Sequence, residues 1–210
     1  MKNEFNFSIL PSGVLSVAAL QCGYSTFLSF ANHIKTLPYR RVSDDNNPLT
    51  VLDEQCGTCS AKHKLLAALA HECEHFEVNL TVGIYWMSEQ NTPGVNVALQ
   101  GTGINAVPEA HCYLTINGTR FDFTGLNQGT SSPFDALLSE HQVLPKKLSL
   151  IKTDLHKQEI ATWSQKIGLS PNEGWALREA CIAALAARSV TVAPNIVLNP
   201  DGLASAYHLR

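Results

Sequence analysis

The stretch Cys56-Gly57-Thr58-Cys59-Ser60-Ala61-Lys62-His63-Lys64-Leu65-Leu66-Ala67-Ala68-Leu69-Ala70 decides how the rest of the chain is read. It is a Gly-containing turn that opens directly into a helix. Ala61, Leu65, Ala68 and Leu69 recur with the spacing of an apolar helical stripe. Thr58 is placed to accept hydrogen bonds from the unpaired N–H groups of the first turn. Cys59 then occupies the helix start, where those N–H groups and the helix dipole favour an anion. A thiol at that position ionises more readily, and the thiolate is the nucleophilic form. Cys59 is therefore a candidate nucleophile; the plainer alternative is a small residue that fills space at a helix start.

Outward from this stretch, the chain reads as an ordinary folded protein. Its 210 residues are 45% hydrophobic and 16% charged, which excludes a disordered chain. A net charge of -3 gives no electrostatic footprint for nucleic acid. No apolar run approaches the roughly 18 residues needed to span a bilayer. Pro11 and Gly13 interrupt the mildly apolar N-terminal stretch, so a signal peptide is not expected, nor a membrane partner. The expectation is a cytoplasmic protein whose six cysteines are mostly reduced. Residues 1–210 show no repeat and no low-complexity linker, and are expected to form one domain with a helical C-terminal third.

Upstream of the central helix, Phe5 to Leu10 alternates like a short strand. Val14 to Ile34 suggests one or two helices broken near Gly23, followed by a loop through Pro48. The central helix is expected to end near His75. Downstream, Val78 to Ile84 alternates as a strand and Val95 to Leu99 suggests another. Pro133 to Glu140 suggests a short helix, Leu155 to Ile167 a longer one, and the last twenty residues look irregular. Ser170-Pro171-Asn172-Glu173 is a capping box with Pro at the first helical position, opening a helix to about Arg188.

The sharpest local signal is Asn117-Gly118 between two alternating runs, His111–Ile116 and Thr119–Thr124. It predicts a hairpin with a two-residue type I′ turn. Such a turn fixes the register: Ile116 pairs with Thr119, Tyr113 lies opposite Asp122, and His111 lies opposite Thr124. His111 and Asp122 then share one face as diagonal neighbours. A carboxylate that accepts from one imidazole nitrogen orients the ring and leaves the other nitrogen to take a thiol proton. The alternative is a His and an Asp on a solvated strand face.

Gly57-Thr58-Cys59-Ser60-Ala61-Lys62, Ala110-His111-Cys112-Tyr113-Leu114 and Arg120-Phe121-Asp122-Phe123-Thr124 resemble the Cys, His and Asp motifs of the transglutaminase-like branch of the papain-like cysteine enzymes, in the same order. The resemblance covers roughly residues 36–125. It implies an α+β fold with the Cys-bearing helix packed on a mainly antiparallel sheet. It also implies a Cys59–His111–Asp122 triad, with acyl transfer or hydrolysis through a thioester and no cofactor or metal. The substrate would be a peptide or a small amide or ester. The family carries an upstream aromatic residue that helps to hold the oxyanion, and Tyr39 is the best match here. Glu109 is placed to bind substrate or to pair with Arg40 or Arg41. His63, four residues after Cys59, is a pocket wall or a surface residue.

Three other readings compete. Cys56-Gly57-Thr58-Cys59 is a CxxC motif before a helix, as in thiol–disulfide oxidoreductases, but Asp53-Glu54-Gln55 stands where those folds place a buried strand. His71-Glu72-Cys73-Glu74-His75 matches the zinc-protease HExxH pattern, yet the helix is expected to stop by His75. A non-catalytic binding module on the same fold is the third.

Overall fold

The computed structural model describes residues 5–126 and 129–191. The element order begins with α1 (Val14–Gln21), α2 (Phe27–Thr36), α3 (Thr50–Asp53) and α4 (Cys59–Glu72). β1 (Val78–Ser88), α5 (Asn96–Leu99), β2 (Ala106–Ile116) and β3 (Thr119–Phe121) follow. A 3-10 turn (Pro133–Ala136) leads into β4 (Leu137–Val143), and a second (Pro145–Lys147) leads into α6 (Leu148–Lys166) and α7 (Pro171–Thr191). The architecture is α+β. One four-stranded sheet, ordered β3-β2-β1-β4, is antiparallel at every pairing.

The hairpin forms in the expected register, with Ile116 opposite Thr119 and Leu114 opposite Phe121. Asn117 and Gly118 take φ values of 48° and 80°, the left-handed pair that a type I′ turn requires. The capping box at Ser170 also forms: Ser170 N–H donates to Glu173 and Glu173 N–H donates back to Ser170 Oγ. Gly23, at φ 88°, makes the break between α1 and α2.

Other segments differ from the sequence expectation. Val95–Leu99 is not a strand; Asn96–Leu99 forms α5, one helical turn. Most of Pro133–Glu140 is not helix. After the 3-10 turn the chain extends as β4 because β1 presents a free edge, and Leu80 pairs with Val143 there. Phe5–Leu10 makes only an isolated bridge between Ser8 and Thr26, although Phe5 and Phe7 pack on the core. Most of the irregular C-terminal stretch lies outside the described residues.

α4 is the hub. Leu65, Leu66 and Leu69 are fully buried among Phe27, Phe30 and Ile34 of α2, Leu80 and Val82 of β1, and Leu114 of β2. Each such side chain contributes about 1.5–3 kcal/mol by leaving water. The apolar stripe understates the burial, since no residue of α4 is exposed. Lys62, His63 and Lys64 are buried too, and each has a backbone partner. Lys62 Nζ donates to the carbonyls of Leu37 and Thr124, at 2.5 and 2.8 Å. Lys64 Nζ donates to the Asp45 carbonyl at 2.6 Å. These contacts satisfy charges that would otherwise be expensive to bury, and they draw the segments before Tyr39 and after Asp122 onto α4.

Candidate active site

Thr58 caps α4 as its sequence suggests: its backbone is extended and its hydroxyl accepts the Ala61 N–H at 3.4 Å. Gly57 N–H donates to the Pro38 carbonyl, tying this turn to the segment that carries Tyr39. Cys59 is the first residue of the helix, only 3% exposed, with first-turn N–H groups around it. The Tyr39 hydroxyl donates to Cys59 Sγ at 3.9 Å, and Lys152 Nζ lies 3.8 Å from the same sulfur.

On the hairpin, His111 Nε2 donates to Asp122 Oδ2 at 2.8 Å. Asp122 lies one residue beyond β3, at the register position opposite Tyr113. Its other oxygen accepts the Thr124 N–H at 2.8 Å. With Nε2 committed to Asp122, Nδ1 is the nitrogen left for the thiol.

The electrostatics follow from this placement. The neighbouring Cys112 thiol, which lies 3.5 Å from Ser60 Oγ, is the largest influence holding the Cys59 thiol well below its ordinary value; burial opposes this, and Lys152 and His111 reinforce it. Cys59 and burial in turn push the Cys112 thiol well up. Burial works against the imidazolium of His111, but the Asp122 hydrogen bond and the Cys59 thiolate outweigh it and raise the ring to about 10. Burial would likewise raise Asp122, yet its bond to His111 holds it below the usual carboxylate range. These directions favour the ionised forms of Cys59 and Asp122 and the protonated form of His111.

The other residues singled out in the sequence fall as follows. Tyr39 is 41% exposed, with its hydroxyl turned in to the sulfur. His63 is neither a surface residue nor a wall open to substrate, because it is completely buried under the hairpin end. Its Nδ1 donates to the Cys59 carbonyl and its Nε2 accepts the Phe123 N–H, both at 2.8 Å. That pair of partners fixes a neutral tautomer, and burial lowers the ring to about 4. Glu109 does not pair with Arg40 or Arg41. Arg178 of α7 grips both of its oxygens, at 2.6 and 2.7 Å, in a nearly dry setting. Cys56 is buried, with its thiol 3.9 Å from Glu54.

The HExxH residues are used elsewhere. α4 ends at Glu72, whose carboxylate accepts the Leu15 and Ser16 N–H groups at the start of α1. His71 Nε2 donates to the Val78 carbonyl, His75 stacks on Phe7, and Glu74 takes φ 65°. Among the described residues no group of three or more His, Cys, Asp or Glu side chains is gathered as a metal site.

Three residues at the site were not picked out from the sequence: Ser60, Cys112 and Lys152. Lys152 carried a readable signal. Leu148, His156 and Ile160 form the buried stripe of α6 at four-residue spacing, and Lys152 falls in the middle of it. A lysine at such a position needs a partner, and it finds Ser60 Oγ at 2.8 Å. The chain matches no protein-family model, no curated protein and no solved structure.

Proposed function

We propose that the protein is a cysteine-dependent acyl-transfer or hydrolytic enzyme of the transglutaminase-like kind, acting on a peptide or a small amide or ester. The observations that support this reading are a cysteine at a helix start and, from a separate hairpin, a His111–Asp122 pair bonded at 2.8 Å whose imidazole charge acts on that thiol. On this reading the steps are as follows. Cys59 thiolate attacks the carbonyl carbon, forming the S–C bond while the C=O π pair moves onto oxygen. The Cys59 N–H and the Tyr39 hydroxyl hold that oxyanion. As the intermediate collapses, the leaving group departs with the proton from His111 Nδ1, and a thioester remains on Cys59. His111 then takes a proton from the acceptor, water or an amine, as it attacks the thioester and releases the thiolate. Asp122 keeps the ring oriented and stabilises its protonated form.

A panel of amide, ester and peptide substrates, run with wild type and Cys59→Ala, tests the proposal. Turnover of at least one class is expected, lost completely in the variant. Turnover that survives in Cys59→Ala but disappears with a chelator would reject this mechanism and return the question to His71 and His75.

A further inference from the structure

The Cys59 sulfur has a cationic neighbour that a Cys–His–Asp mechanism leaves unused. Lys152 reaches in from the first turns of α6, with Nζ 2.8 Å from Ser60 Oγ and 3.8 Å from Cys59 Sγ. An ammonium group carries three N–H donors and no acceptor. One donor serves Ser60 and another reaches Cys59 Sγ. Cys112, Cys59 and Glu109 act on Lys152 in that order; the Cys112 thiol is itself pushed well up and Glu109 is gripped by Arg178, while Cys59 Sγ is the sulfur within hydrogen-bond reach of Nζ.

That partnership has a consequence for the reaction. When Sγ attacks a carbonyl, its negative charge moves two bonds away, onto the carbonyl oxygen. The Cys59 N–H and the Tyr39 hydroxyl offer that oxygen neutral donors only, and a charge-assisted bond is about twice as strong as a neutral one. We propose that Lys152 is the charged member of the oxyanion site. Its ammonium balances the Cys59 thiolate at rest, and it shifts a hydrogen bond from sulfur to the carbonyl oxygen as that oxygen becomes negative. Ser60 is the positioning residue that holds it. Lys152 gives up no proton in this step; one S–C bond forms, the C=O π pair goes to oxygen, and the ammonium stays whole. The role rests on the acyl-transfer reading of Cys59 and supplies a donor that reading does not contain.

The test separates charge on sulfur from charge on oxygen. Alkylation of Cys59 by iodoacetamide needs the thiolate but develops no oxyanion, whereas acylation by p-nitrophenyl acetate needs both. The two rates are followed against pH, up to the plateau where Cys59 is fully ionised. Lys152→Met is expected to move both profiles to higher pH. On the plateau its alkylation should stay within about threefold of wild type while its acylation falls about a hundredfold. Lys152→Arg keeps the charge and should hold acylation within about tenfold. Ser60→Ala keeps the charge but loosens it, and should lower plateau acylation about tenfold with alkylation unchanged. Should Lys152→Met fail to fold, Lys152→Arg and Ser60→Ala carry the same comparison. If in Lys152→Met or Ser60→Ala acylation and alkylation fall by one common factor, or acylation does not fall, the oxyanion role is overturned while the Cys59 mechanism stands. If wild type itself forms no acyl-enzyme on Cys59, the acyl-transfer reading fails and this role fails with it.

Discussion

Asp122→Asn should disable the site through tautomer choice, and the structure sets the scale of the effect. In the native site Oδ1 accepts the Thr124 N–H and Oδ2 accepts the His111 Nε2–H, both at 2.8 Å. An asparagine must keep its carbonyl oxygen on Thr124, because the reverse orientation would set its NH2 against a backbone donor. Its NH2 then donates to His111 Nε2 and forces the ring proton onto Nδ1, the nitrogen that must accept from Cys59. Recovering the useful tautomer means turning the amide, which keeps a bond to Nε2–H but loses the one from Thr124 N–H, at about 1–3 kcal/mol. The imidazolium also loses its counter-charge, which together with the thiolate raises His111 from 6.5 to about 10. That rise is what remains after burial has opposed it, so removing the Asp122 charge lets burial pull the ring back down. Acylation by p-nitrophenyl acetate at pH 7, followed by stopped flow, should therefore drop about a thousand- to ten-thousand-fold with the melting temperature little changed. The pH profile of Cys59 alkylation should shift to higher pH in parallel. A variant that acylates within about tenfold of wild type at pH 7, with the same low-pH onset of alkylation, would refute the reasoning.

Three further outcomes follow from the same geometry. At pH 6, iodoacetamide should label Cys59, at 3% exposure, before the exposed Cys22 and before Cys56, as read by peptide mass mapping; labelling of Cys56 first would favour the redox reading instead. His63 has a folded-state value of about 4 against an ordinary 6.5, so the unfolded chain binds the extra proton between those values. Its stabilising effect is present above pH 6.5 and is lost as pH falls toward 4, amounting to about 3 kcal/mol in urea unfolding, and His63→Gln should flatten that slope. Glu109→Gln leaves the Arg178 guanidinium without its counter-charge in a nearly dry setting and should cost about 3–5 kcal/mol, most of it recovered in the Glu109→Gln/Arg178→Met double variant.

The parts of the site that could be read from the sequence are those whose causes are local. Asn117-Gly118 sets a register on its own, and the register carries His111 and Asp122 onto one face. Thr58 and Cys59 are placed by the chemistry of a helix start, which needs only adjacent residues. What could not be read depends on distant chain. The buried state of Lys62 and His63 rests on Leu37, Thr124 and Phe123, contributed by segments far from α4 in sequence. β4 is a strand because β1 has a vacant edge, not because Leu137–Val143 alternates strongly. Arg178 and Lys152 come from the two C-terminal helices, and no local pattern tells which strand or helix they will meet. Lys152 still stood out in principle, as a charge within the buried stripe of α6.

The central claim, that Cys59 carries the acyl group, is tested most directly by intact-protein mass spectrometry. Wild-type protein is mixed with p-nitrophenyl acetate, quenched in acid within the burst phase and digested. The account predicts a single acetyl adduct, mapped to Cys59, removed by hydroxylamine and absent in Cys59→Ala. An acetyl group found elsewhere with Cys59 unmodified, or p-nitrophenol release unchanged in Cys59→Ala, would contradict it.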